Sequence, residues 1–122
     1  IIIVCVDNME TRKLAFEKWK SQEDRELLIE GRLTAEYLKL FSITKNEKKE
    51  DFYLQNLPTD SEIQPEPCTF QQTPHVAMMI AAEMVASLNT YVANKAANIP
   101  LYTYPTMFER TLQIGMVKTV KL

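Results

Sequence analysis

The residues with the most chemistry to offer stand in a few short stretches. Asp7 and Asn8 close the apolar run "IIIVCVDN", and Arg12 follows five residues after Asp7. Arg32 lies in "EGRL", while Cys68 and His75 stand at the two ends of "CTFQQTPH". A carboxylate at a strand end can hold magnesium, a hard cation that takes oxygen ligands and keeps waters and phosphate oxygens. In open α/β sheets, ligands bind outside the carboxyl ends of the strands, which is where Asp7 would lie. Asp7 or Asn8 would equally serve to cap the following helix, since both residue types are favoured there. Arg12 and Arg32 suit carboxylate or phosphate partners, in a binding site or in structural ion pairs. Cys68 precedes a helix start, which favours its thiolate, while Asp60, Glu62 and Glu66 oppose it. His75 is the single histidine and has no cysteine or carboxylate set at zinc spacing around it, so no zinc site is expected. Cys5, inside the apolar run, is expected to pack in the core. Met78, Met79 and Met84 are expected to do the same.

These groups need elements to position them. Residues 1–6 form a continuous, β-branched apolar run, which predicts a strand buried on both faces in a parallel sheet. A helix is predicted over 9–20, with Met9, Phe16 and Trp19 on one face. "ELLIE" predicts a strand over 26–30, ended by Gly31-Arg32. "EYLKLFSI" predicts an antiparallel neighbour over 36–43. "NEKKEDFYLQNL" reads as a short polar helix with Phe52, Tyr53 and Leu57 turned inward. "PTDSEIQPEPCTFQQTP" is a long loop and a candidate functional one. Pro74 suits the first turn of a long Ala/Met-rich helix over 75–98. Its stripe of Val76, Ile80, Met84, Leu88 and Val92, widened by Ala77, Met78 and Ala81, predicts burial on more than one side. After a loop over 99–109, one strand is predicted near the end, with Leu112, Ile114 and Met116 alternating. The order β-α-β-β-α-α-β is that of a mixed α/β, Rossmann-like sheet that turns antiparallel.

With 122 residues, 46% hydrophobic and 25% charged, the chain suits one globular domain. A net charge of -2 provides no basic stripe for a nucleic-acid backbone, and the lysines of residues 45–49 alternate with acids. The initial apolar run is too short for a signal sequence, and no basic residue precedes it. The long helix is interrupted by Glu83, Ser87 and Asn89, as expected of a core helix and not a membrane span. Two cysteines make no secreted-type disulfide framework, so a cytoplasmic location is expected. With only Gly31 and Gly115 present, no loop has the glycines needed to cradle phosphates.

Three stretches, "VCVDNMETRK", "LLIEGRLTAEYLKLF" and "EPCTFQQTPHVAMMIAAEMVASLNTYV", together resemble the ThiF/MoeB/HesA-like adenylyltransferases of the ubiquitin-activating-enzyme superfamily. The first looks like the family's D-N-x-x-x-R element at a strand end. The second is similar to its next strand, glycine turn and further strand, and the third to its crossover loop with a cysteine before a long helix. The resemblance covers most of residues 1–95. It implies that Asp7 contacts a magnesium–ATP complex, with Asn8 its partner in the same turn and Arg12 on the ensuing helix. It implies that Cys68 stands where some members accept the activated group. The implied activity is formation of an acyl-adenylate on the C-terminal carboxylate of a ubiquitin-like or ThiS-like protein. Magnesium would neutralise and align two anions in that reaction, and a cysteine would carry the acyl group as a thioester. The family's glycine-rich loop, ribose contact and phosphate-holding Arg and Lys lie upstream of this element, and its zinc-binding cysteine pairs have no counterpart here. The expectation is therefore the C-terminal half of an adenylation fold, completed by further sequence or a second chain. A homodimer is also implied. The rival expectations are a non-catalytic interaction module and a binding domain for another nucleotide cofactor.

Overall fold

The computed structural model describes residues 1–58, 74–99 and 103–122. Cys68 and residues 59–73 of the proline- and acid-rich loop lie outside them. The elements run β1 (Ile2–Val4), α1 (Met9–Lys20), β2 (Leu27–Leu33), β3 (Tyr37–Thr44), α2 (Glu47–Gln55), α3 (Pro74–Ala97), β4 (Met107–Thr111) and β5 (Met116–Val120). The strands form one sheet in the order β1-β2-β3-β4-β5. β1 and β2 are parallel, and each later pair is antiparallel. The fold is thus mixed α/β: a five-stranded mixed sheet with three helices among the described residues.

The local chemistry of the caps sets the helices. Asn8 is extended, and its side chain accepts a hydrogen bond from the Thr11 N–H at 2.7 Å. That answers one of the first N–H groups of α1 and makes Asn8, not Asp7, the N-cap. Asn46 does the same for α2, accepting from the Lys49 N–H at 3.2 Å. Pro74 opens α3, where a missing N–H costs nothing. Beyond the other end of α3, Asn98 takes a left-handed backbone, one of the few non-glycine residues at ease there.

The two sheet faces differ. α1 and α2 cover one with an aromatic cluster in which Phe16, Trp19, Phe41 and Tyr53 interlock. α3 covers the other with Val76, Ile80 and Met84 against Leu27, Ile29, Leu38 and Leu40. α3 is long and apolar enough to span a bilayer by length and composition, and here one face of it lies on β2 and β3. Its opposite face is exposed at Met78, Val85 and Val92, so burial on several sides is corrected to burial on one.

Four further expectations are corrected. β1 is shorter than residues 1–6 and is not buried on both faces: Ile1 is 55% and Ile3 51% exposed. Among the described residues β1 is an edge strand with one strand neighbour, β2. For the same reason Cys5 is exposed and not packed. Gly31-Arg32 does not end β2, which continues to Leu33 in unbroken register with β3. A Cβ at Gly31 would stand 2.9 Å from Met84 Sδ and 3.1 Å from Ile80 Cγ1. The glycine is there so that α3 can cross the strand closely. The last stretch is a hairpin of β4 and β5, not one strand in which Leu112, Ile114 and Met116 alternate. Gly115, with φ +64, provides the left-handed residue of its turn.

Candidate functional site

A cleft of about 630 Å³ opens across the carboxyl ends of β1 and β2. Asp7 and Cys5 line it from the end of β1, and Arg12 from the first turns of α1. Arg32 and Lys39 enter from β2 and β3. Ala77, Ile80, Ala81 and Met84 of α3 supply an apolar wall. The parallel β1-α1-β2 unit creates this geometry, because both strands deliver their ends to the same side of the sheet.

Behind the charged wall lies Glu30, which is 0% exposed and bound by two arginines. Arg12, 5% exposed, donates from Nη1 to the Glu30 carboxylate and to the Gly31 carbonyl, and from Nη2 to the Val6 carbonyl. It therefore ties the end of β1 to β2 and fixes the turn that carries Asp7. Arg32 grips both oxygens of Glu30 at 2.8–3.1 Å, donates to the Asn56 carbonyl at 2.8 Å and stacks over the Phe41 ring. Burial alone would lower the pKa of Arg32, but the hydrogen bond and charge of Glu30 outweigh it and hold it above its ordinary value. The Tyr53 phenol is pushed up from its usual range, first by burial and then by Glu30. Lys39 pairs with Glu109 at 3.1 Å. Burial opposes its charge, and the hydrogen bonds of Tyr37 and Glu109 raise its pKa in spite of that.

The charges of this wall are therefore matched. Arg12, Arg32 and Lys39 face Asp7, Glu30 and Glu109, three of each sign. Asp7 is the exposed carboxylate at the rim, with Asn8 donating to it at 3.4 Å. Among the described residues, no group of three or more His, Cys, Asp or Glu could hold a metal. One exposed carboxylate does suit magnesium, which completes its shell with water and phosphate oxygens. For a triphosphate the described residues are incomplete: two arginines are committed to Glu30, and no glycine-rich loop is present.

Of the residues singled out in the sequence, the fold brings Asp7, Arg12 and Arg32 to one cleft, with Asn8 beside it as the cap. His75 is exposed in the first turn of α3 and does not line the cleft, and Cys68 lies outside the described residues. Sequence reasoning missed Glu30, Lys39 and Cys5 as parts of this region. The signal for Glu30 was present: a carboxylate set among core positions of "LLIEGRL", two residues from an arginine on the same strand face. Comparison with known proteins finds no matching family model, no similar curated protein and no similar solved structure.

Proposed function

We propose that the chain forms the carboxyl-terminal half of a ThiF-like, Rossmann-type adenylation domain. Such a domain activates the C-terminal carboxylate of a ubiquitin-like or ThiS-like protein as an acyl-adenylate, using ATP and magnesium. The observation that carries this reading is the exposed Asp7 carboxylate, held at a cleft rim by a turn that Arg12 and Asn8 fix from both sides. Each defined position of the D-N-x-x-x-R element then has a distinct task. Asn8 starts the helix, Arg12 locks the strand end, and Asp7 is left free to face a ligand. When bound, magnesium–ATP supplies the electrophilic phosphorus and neutralises charge between two anions. Asp7 would hold that complex, and the apolar wall of α3 at Ile80 and Met84 would limit water on that side. Cys68 would accept the acyl group as a thioester, a role that rests on the resemblance alone.

The second reading is an interaction module that pairs with an active partner. The uncovered edge and face of β1, with Ile1 and Ile3 exposed, favour it. Both readings place further structure beside β1, and they part on activity. ATP–pyrophosphate exchange is measured on the full-length protein with its ubiquitin-like partner. Asp7→Ala should lower exchange by about 100-fold or more, as loss of transition-state charge stabilisation does. Exchange that survives Asp7→Ala unchanged overturns the role of Asp7, and a wild-type protein without exchange leaves the interaction module as the answer.

A further inference from the structure

A second cavity, of about 190 Å³, lies farther along α3 on the same face of the sheet. It is independent of the cleft at Asp7. Ser42 and Thr44 of β3 line it, with Ser87 and Thr90 of α3 and Lys49 of α2. Lys49 is the one charged side chain in this lining among the described residues. Its Nζ donates to Thr44 Oγ1 at 3.2 Å and forms no ion pair among the described residues. Burial lowers its pKa. Two carboxylates approach lining residues and are already engaged: Glu83 accepts from the Tyr104 hydroxyl at 2.6 Å, and Glu26 pairs with Lys95.

The remaining donors converge. An ammonium carries three N–H groups, and Thr44 takes one of them. Ser42 and Ser87 are hydrogen-bonded to each other, which uses one of their two protons and leaves the other to donate. The hydroxyl of Thr90 adds a further donor. A half-buried cation among hydroxyls, with no counter-charge among the described residues, wants an anion. Lysine as a point charge with rotatable hydroxyls suits a tetrahedral oxyanion better than the planar fork of a carboxylate, which arginine reads. The size agrees. The cavity is smaller than the roughly 300 Å³ at which drug-sized ligand sites begin, yet holds about six waters' worth of volume.

We propose that this cavity binds a phosphate-type oxyanion, held by Lys49 and the hydroxyls of Thr44, Ser87 and Thr90. The test is an amide chemical-shift titration of the full-length protein with inorganic phosphate, against sodium chloride at equal ionic strength. Phosphate should give saturable shifts at Thr44, Lys49, Ser87 and Thr90 that chloride does not produce. Lys49→Met keeps the stem and should weaken binding about tenfold, the loss of one charged hydrogen bond. Thr90→Val should weaken it by about fivefold and protects the test if the Lys49 variant misfolds. A parallel titration with glycerol phosphate identifies the source. Equal or tighter binding assigns the phosphoryl group of a larger molecule, and weaker binding assigns the free ion. Shifts that rise linearly and match those in chloride overturn the proposal. So does phosphate affinity that is unchanged in both variants.

Discussion

The two faces of the sheet solve the same problem by different means. The face under α1 and α2 is filled with aromatic rings and also holds a buried carboxylate between two guanidiniums. The core under α3 is aliphatic, with Gly31 giving room for the helix and the Ser42–Ser87 pair among its polar contacts. On the first face position is set by charge, where a missing partner leaves an ion in low dielectric. On the second it is set by shape, where a misfit costs the few contacts displaced. The cleft forms where the two meet, so one wall carries fixed charge and the other is apolar.

The sharpest way to break this contrast is Glu30→Gln. It keeps the shape and leaves the buried Arg12 and half-buried Arg32 guanidiniums without their carboxylate. Stability should fall by about 3–5 kcal/mol in urea unfolding, and a loss under about 1 kcal/mol would show that charge does not organise this face. Gly31→Ala tests the other face. Its Cβ would press on Met84 and Ile80, so a loss of about 1–2 kcal/mol is expected. Adding Met84→Ala should relieve part of that strain, and strict additivity of the two losses would deny the contact.

Tyr53 links the aromatic packing to the charge cluster. Its folded pKa is raised above the ordinary 10.0 by burial and then by Glu30. The sign follows directly: this contribution is complete below about pH 10 and is lost as the pH rises, because only the unfolded chain releases the proton. The expected loss is at most about 1.4 kcal/mol per pH unit above that point. Tyr53→Phe should flatten this alkaline decline in a pH series of unfolding curves. Its buried hydroxyl has no hydrogen-bond partner among the described residues, so the change at neutral pH should stay within about 1 kcal/mol. The smallest effect belongs to the outer side of α3. Val85→Gln should move stability by no more than about 0.5 kcal/mol, and a larger loss would reveal a covering partner in solution.

The helices were legible because their ends carry explicit chemistry. Asn8 and Pro74 mark starts that the structure places within a residue of expectation. Phe16 and Trp19 pointed to the buried side of α1 by spacing alone. Gly31 misled because a glycine reads as punctuation when its neighbours are unknown, and only α3 packing against it explains a glycine inside a strand. Ile3 and Cys5 misled for the converse reason. A continuous apolar run says that a strand can be buried on both sides, and not that both sides are covered. The final hairpin was missed because "LQIGMV" keeps a two-residue alternation through its turn. At the site, Asp7 and Arg12 were visible as a pattern. Glu30 stood out as a carboxylate among core positions, but its bond to Arg12 shows only once β1 and β2 lie side by side.

Arg12 has one more consequence, and it concerns rates. β1 is three residues long and has a single neighbour, so on its own it would peel away readily. Two residues past its end, the Val6 carbonyl is held by a side chain that also grips β2 and Glu30. The edge therefore opens only when a buried guanidinium is released with it. The amide protons of β1 should exchange with solvent together with the sheet centre, as one cooperative unit.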